Sequence, residues 1–375
     1  MSTTYYICKY TPVELLEALG GTCEVLDEMP DSFSLSDQVG HPNLCGFGKS
    51  VLEACLSGQV KELVLVNCCD TIRSVYDILA ARGEMDFLFL LDMLHTSGPR
   101  AAARTRAELL RLAEAYAAYK GTTFDPDRFR AAFRPAAEQE GPYLSVMGGR
   151  VGDRLFHAME EAMPLPLRNH TCVHDRFVPP PEGEETELEA LLTPYARSLL
   201  EQVPCMRMTD VTGRESLRRS PDLKGIVYHT VKFCDYYGFE YSGLRRDCGV
   251  PLLKLESDYT AQSSGQLRTR LEAFAESLSP ETTLTGKGRV QMKKGYFAGI
   301  DSGSTSTDVA ILDQDRHLVA QVILPTGAGA AAGAERAMEA ALAQAGLKPE
   351  DITATVTTGY GRSAIQLGDK SITEI

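Results

Sequence analysis

The sequence predicts an α/β protein built on parallel sheets, followed by a smaller, strand-rich C-terminal segment. Three observations point there. Short apolar runs such as Glu62–Val66 and Asp86–Leu91 have the length and composition of strands buried on both faces. Segments with helical spacing follow them, so strands and helices alternate. From Tyr296 onward the pattern changes to strand, turn, strand, with a single helix.

In chain order, Pro12–Leu19 carries apolar residues at helical spacing. Glu62–Val66 reads as a strand, with Asn67, Cys68, Cys69 and Asp70 just past its end and a helix at Thr71–Ala81. Asp86–Leu91 is the next strand, and Ala101–Lys120 is a long helix rich in Ala, Leu, Arg and Glu. A second block opens near Gly141. Its strand at Tyr143–Met147 runs into Gly148, Gly149 and Arg150, and Val178–Glu187 is a polar, Pro-rich loop. A helix at Leu188–Gln202, strands at Lys224–His229 and Pro251–Leu255, and a helix at Gly265–Ser279 complete that block. The third block has strands at Phe297–Ile300, Asp308–Leu312, Leu318–Leu324 and Ile352–Thr357, a polar turn at Asp301–Ser306 and a helix at Ala334–Ala345. The expected domains are therefore 1–140, 141–280 and 295–375, with a polar, aperiodic linker at 281–294.

Composition narrows the function. Of 375 residues, 43% are hydrophobic and 24% charged, which is ordinary for a globular chain and argues against disorder or a fibre. Lys and Arg number 38 against 51 Asp and Glu, a net charge of −13. An acidic chain without a basic cluster is poorly suited to neutralising phosphates, so no nucleic-acid partner is expected. The most apolar stretch, Asp86–Leu94, is far shorter than the ~20 residues a membrane crossing needs. With no signal-peptide pattern at the start, the expected location is cytoplasmic. Ten cysteines in a reducing compartment are then packing residues, metal ligands or redox groups rather than disulfides.

Spacing separates some of them. Ligands of open α/β sheets bind just past the carboxyl ends of strands. Cys68 and Cys69 follow one strand, Cys234 follows another, and Cys45 lies in the turn-rich loop His41–Ser50. Soft thiolates converging from separate loops suit an iron–sulfur cluster or zinc. The absence of any CxxC pair speaks against common zinc folds and ferredoxins, and on chemistry alone buried packing thiols remain an open alternative.

The motifs His41-Pro-Asn-Leu-Cys45, Val66-Asn-Cys-Cys69-Asp70 and Tyr228-His-Thr-Val-Lys-Phe-Cys234-Asp235 resemble the three cysteine motifs of the 2-hydroxyacyl-CoA dehydratase family, which includes benzoyl-CoA reductase subunits. Tyr6–Glu14, Pro204–Arg207 and Leu255–Phe274 match as well, so the resemblance spans roughly residues 1–278. It implies two doubly wound parallel-sheet domains around a cysteine-lined cleft. It implies a 4Fe-4S cluster held by Cys45, Cys69 and Cys234 with one open iron, Cys68 being an extra thiol beside Cys69. Cys8, Cys23, Cys55, Cys172, Cys205 and Cys248 are read as packing. The implied activity is a lyase that removes water from a 2-hydroxyacyl-CoA. One electron reduces the thioester carbonyl to a ketyl radical, which expels the C2 hydroxyl, acidifies the C3 proton and later returns the electron. A second dehydratase subunit and an acyl-CoA substrate come with that reading. A benzoyl-CoA-reductase-type subunit and a non-catalytic relay or scaffold subunit are the alternatives.

Gly299–Thr305 (GIDSGST) lies between two strands, where small residues let backbone amides approach a phosphate. Asp301, Gly303, Ser304 and Thr305 are the candidate phosphate-loop residues, with Asp301 placed to hold Mg2+ through water. A plain hairpin turn is the alternative. Tyr296–Leu312, together with Thr357–Arg362, resembles the ATPase activator of the same dehydratases, a member of the actin, sugar-kinase and Hsp70 superfamily. That implies a partial ribonuclease-H-like subdomain, an ATP and Mg2+ requirement, and an activator partner, fused or separate. Asp308 departs from the basic residue usual there, and the segment stops before the activator's cluster cysteines. Among remaining candidates, His41 is expected to brace its own loop, Glu256 and Asp258 are unassigned, and Gly148–Gly149–Arg150 is a candidate for the CoA phosphates. No catalytic side chain is assigned.

Overall fold

The computed structural model describes residues 2–135, 141–182, 185–261, 264–278, 295–303, 305–327, 329–359, 362, 365 and 367–371. The expected linker at 281–294, as well as Ser304, lies outside the described residues. Two compact units form, Met1–Gly265 and Gln266–Ile375. No described helix is long and apolar enough to cross a membrane.

The first unit holds two parallel sheets. Strands β1 (Thr3–Tyr6), β2 (Thr22–Val25), β3 (Glu62–Val66) and β4 (Phe87–Leu91) order as β2-β1-β3-β4. All three pairings are parallel, and all five β3 residues are buried, as an apolar run covered on both faces requires. Six helices connect and flank these strands: α1 (Val13–Ala18), α2 (Ser36–Val39), α3 (Gly46–Leu56), α4 (Asp70–Arg82), α5 (Pro99–Lys120) and α6 (Pro126–Ala131). Local chemistry sets their ends. Pro99 opens α5 where its missing N–H costs nothing, Gly83 and Gly121 close α4 and α5 in the left-handed conformation, and Asp125 caps α6 by accepting from the Asp127 and Arg128 amides.

The second sheet repeats this order. Strands β5 (Tyr143–Gly148), β6 (Leu167–Asn169), β7 (Leu223–Val231) and β8 (Leu252–Ser257) run β6-β5-β7-β8, again all parallel. Helices α7 (Asp153–Ala162), α8 (Leu188–Leu200), α9 (Asp235–Asp247) and α10 (Ser264–Leu278) belong to this half of the sequence. Helix α8 crosses back. It packs on α5 and adds Leu191, Leu192, Tyr195 and Leu199 to the core under the first sheet. Its apolar face is matched by α5 rather than by the sheet that follows it in sequence.

The second unit contains β9 (Tyr296–Ser302), β10 (Ser306–Leu312), β11 (Leu318–Pro325), α11 (Ala330–Ala345), β12 (Ile352–Thr358) and β13 (Lys370–Ser371). The order is β11-β10-β9-β12-β13. The first three strands are antiparallel neighbours, while β12 is parallel to β9 and β13 to β12. Helix α11 lies against β9, β10 and β11, where Ala334, Ala337 and Ala341 meet Ile300, Val309 and Ile311. The expected turn at Asp301–Ser306 is tighter than the sequence indicates. Asp301 and Ser302 still belong to β9, Ser306 already belongs to β10, and the Gly303 amide donates to the Ser306 carbonyl at 2.9 Å.

Candidate functional site

Both sheets of the first unit reverse their strand order at one place, between β1 and β3 and between β5 and β7. The crevice beyond such a switch point is where α/β sheets take ligands. One cavity opens against both. Ile7 and Cys8 enter from the end of β1, Cys68 and Cys69 from β3, Arg150 from β5, and Val231 and Cys234 from β7. Cys45, Cys172 and Cys205 complete the set of thiols.

The three cysteines singled out in the sequence share a local device. Cys45 is the N-cap of α3, Cys69 of α4 and Cys234 of α9. An N-cap sulfur lies beside the unpaired amides and the positive end of its helix, which favours a thiolate. The Gly48 amide donates to Cys45 Sγ at 3.4 Å. At the same third position, the amides of Ile72 and Tyr237 work against the upward push on Cys69 and Cys234. Cys68, one residue before its neighbour, has no helix behind it.

Burial opposes the helices. It raises the Cys45 thiol and pushes Cys234 up to about 11. A hydrogen bond with Cys68, and then burial, raises Cys69. Cys172 and Cys205 share a thiol–thiol hydrogen bond that raises Cys172 and lowers Cys205, with Tyr237 Oη 3.5 Å from the Cys205 sulfur. Arg207 brings a guanidinium into this cavity, and no carboxylate is among the described residues that line it. Its Nη1 lies 3.5 Å from Cys205 Sγ and its Nη2 4.0 Å from Cys234 Sγ.

Two positions show how tightly the site is drawn together. A Cβ on Gly46 would fall 1.9 Å from the Asp258 carbonyl oxygen, so only glycine lets α3 start where Cys45 faces the cavity. Phe233, directly before Cys234, has a positive φ of 67° without being glycine. Such strain at a ligand loop persists only where the surroundings enforce it.

A metal-bearing group fits these residues on their donor chemistry. Among the described residues, the one set of three potential ligand atoms within 4.8 Å of one another is Asp313, Asp315 and His317 in the second unit. The three thiols thus stand wider apart than a single ion requires, and a multi-iron cluster suits soft, separated thiolates. It would also bring further anionic sulfur to Arg207, beside Cys205.

Other residues behave differently from their sequence reading. Cys8, Cys172 and Cys205 were expected to be packing, yet they line this cavity with the three motif cysteines. Their convergence depends on where the two sheets meet, which spacing does not encode. Arg150 does not reach out to a phosphate. It is 2% exposed and donates to the Ile7 and Leu26 carbonyls at 3.0 and 2.7 Å, with Nε 2.5 Å from Asp27. Asp258 accepts from Thr260 within its own turn, and His41 Nδ1 accepts from the Asn43 amide in its own loop. Arg207 carries no signal in the sequence beyond closing the Pro204–Arg207 match.

In the second unit, Asp301 is the penultimate residue of β9 and pairs with Thr358 of β12, and Gly303 and Thr305 lie between β9 and β10. Thr326 ties the turn down, donating its amide to the Thr305 carbonyl and its hydroxyl to the Gly303 carbonyl. Gly359, at φ +88°, passes so close that a Cβ would lie 2.4 Å from Asp301 Oδ1. The two candidate phosphate motifs therefore adjoin. Asp308 faces Asp301 across the strand pair, and its Oδ1 is buried without a hydrogen-bond partner among the described residues.

Comparison with known proteins follows the same division. Residues 8–146 and 133–278 match the family of the 2-hydroxyglutaryl-CoA dehydratase D-component, and residues 298–375 match the BadF/BadG/BcrA/BcrD ATPase family. The activator of lactoyl-CoA dehydratase from Anaerotignum propionicum is 44% identical over 80 residues, 21% of this chain and 30% of that protein. The (R)-2-hydroxyglutaryl-CoA dehydratase activating ATPase of Acidaminococcus fermentans is 36% identical over 81 residues, 21% of this chain and 31% of that protein. Among solved structures, component A of the Acidaminococcus fermentans (R)-2-hydroxyglutaryl-CoA dehydratase matches at 36% identity with a TM-score of 0.20, covering 21% of this chain and 31% of that one. The chain thus spans about 30% of the length of the curated relatives it matches.

Proposed function

This chain belongs to the 2-hydroxyglutaryl-CoA dehydratase D-component family and carries a BadF/BadG/BcrA/BcrD ATPase segment, and from that premise we propose that it is an iron–sulfur dehydratase component fused to part of its own activator. The substrate class is a 2-hydroxyacyl-CoA, from which water is removed. A 4Fe-4S cluster, when bound, supplies the single electron that makes the C3 proton acidic enough to leave.

The chain's own residues provide the rest of the setting. Cys45, Cys69 and Cys234 hold the cluster, each presented by a helix N-terminus whose amides favour anionic sulfur. Ile7, Phe47, Ile72 and Val231 line the same cavity and keep water from the sulfurs, which strengthens every charge interaction there. The observation that carries this reading is the convergence of three N-capping cysteines from two parallel sheets on one thiol-lined cavity.

Anaerobically purified full chain is expected to be coloured and to contain iron and acid-labile sulfide. Serine at Cys45, Cys69 or Cys234 is expected to remove most of that iron, while Cys55→Ser, in the core of the first sheet, keeps it. Iron-free, correctly folded wild-type protein would falsify the cluster assignment.

For the second unit, the reading is that Asp301, Gly303 and Thr305, with Gly359 beside them, would receive nucleotide phosphates, Asp301 holding Mg2+ through water. With ATP bound there, this segment would serve electron supply to the dehydratase part, which would work beside a second dehydratase subunit.

A further inference from the structure

We propose that Arg207 is the counter-charge of the cluster's sulfur ligands and sets the cluster's reduction potential. The proposal rests on the cluster reading above and assigns it a residue outside the three cysteines.

Among the described residues, the hydrogen-bond partners of this side chain are sulfur atoms. Its two terminal nitrogens point at Cys205 Sγ, at 3.5 Å, and at Cys234 Sγ, at 4.0 Å. Its Nε is buried without a hydrogen-bond partner among the described residues. No carboxylate is among the described residues that line the cavity. The other cation there, Arg150, is already engaged by Asp27 and two backbone carbonyls. Below Arg207 lie the rings of Tyr236 and Tyr237, 5.1 and 5.8 Å from the guanidinium, which hold it in place without neutralising it.

Arg207 is half-buried with its Nε shut off from water, and a guanidinium so placed is stabilised by a neighbouring anion. Here the groups facing it are sulfur atoms. Of the two, Cys234 is a proposed ligand, and as a thiolate on iron it would add negative charge beside Arg207 and accept from its Nη2. A fixed positive charge beside a centre that gains an electron favours the reduced form, and hydrogen bonds to the sulfurs act in the same direction. Arg207 therefore makes the cluster easier to reduce than the three cysteines alone would. It is a positioning residue, acting on substrate only through the cluster.

The test uses anaerobically prepared full chain as wild type, Arg207→Met and Arg207→Lys, with folding checked by circular dichroism. Iron and sulfide are counted, and the midpoint potential is followed by electron paramagnetic resonance during a redox titration. Arg207→Met is expected to lower the one-electron reduction constant at least tenfold, about 59 mV, with Arg207→Lys restoring most of it. Folded Arg207→Met that loses iron while Arg207→Lys keeps it supports the same conclusion. Arg207→Met with wild-type iron and an unshifted potential overturns it. So does loss of iron from both variants, because charge is then not what matters. Iron-free wild-type protein instead strikes down the cluster reading, which separates the two failures.

Discussion

Cysteine at an N-cap is pulled two ways, and the outcome differs residue by residue. The helix favours the thiolate while burial favours the thiol, and at Cys234 burial prevails. Burial also acts on two histidines, His229 fully enclosed and His170 partly so. His170 shares a hydrogen bond with Ser145 Oγ at 2.7 Å, and His229 Nε2 shares one with Ser257 Oγ at 2.8 Å. Burial drives both down to about 4, with Arg168, Arg214 and Lys9 adding to the effect at His170. The unfolded chain begins to take up these protons near pH 6.5, but the native state resists until about 4. Stability is therefore complete above pH 6.5 and falls as pH drops toward 4, by up to about 1.4 kcal/mol per unit for each histidine. Urea unfolding at pH 7, 6 and 5 is expected to show this decline, with a shallower slope for His170→Asn. A flat profile would contradict the assignment.

At the scale of elements, the local patterns were largely legible. Strand β3 coincides with the apolar run Glu62–Val66, and α5 begins within two residues of its expected start and ends at Lys120 as expected. What the patterns lacked was the approach of one element to another. Helix α3 meets the turn after β8 through Gly46, and no periodicity marks that residue as a contact. Gly46→Ala is expected to cost about 1–3 kcal/mol by overpacking and to shift Cys45 out of register with Cys69 and Cys234. A lowered urea midpoint together with reduced iron content checks it. Unchanged iron at lower stability would show that the loop yields without moving its cysteine.

At the scale of the first unit, ion pairs join residues of its two halves. Lys9 follows β1 and meets Asp175 at 2.6 Å, both nearly inaccessible, and Arg176 meets Glu14 at 2.6 Å. Arg150 and Asp27 form a third such pair, with His174 Nε2 2.9 Å from the other Asp27 oxygen. Breaking a buried pair leaves an uncompensated charge, whereas replacing both partners with apolar groups is tolerated. Lys9→Met is expected to destabilise by about 3–5 kcal/mol. Combining it with Asp175→Leu is expected to recover much of that loss. Denaturation of the two variants measures it, and equal losses in both would show that the pair's charge is not what matters.

The elements, the parallel α/β class and the order of the cysteine motifs were legible from the chain alone, because each rests on residues close together in it. Helix periodicity, strand composition and N-cap identity are local properties. Tertiary structure alone decided which groups share a cavity. It brought Cys8, Cys172 and Cys205 beside the three motif cysteines, buried Arg150 as a strap between sheets, and left Arg207 facing sulfur with no carboxylate among the described residues of the cavity. Those outcomes follow from two sheets meeting at their switch points, and that meeting is set by contacts between residues far apart in the chain.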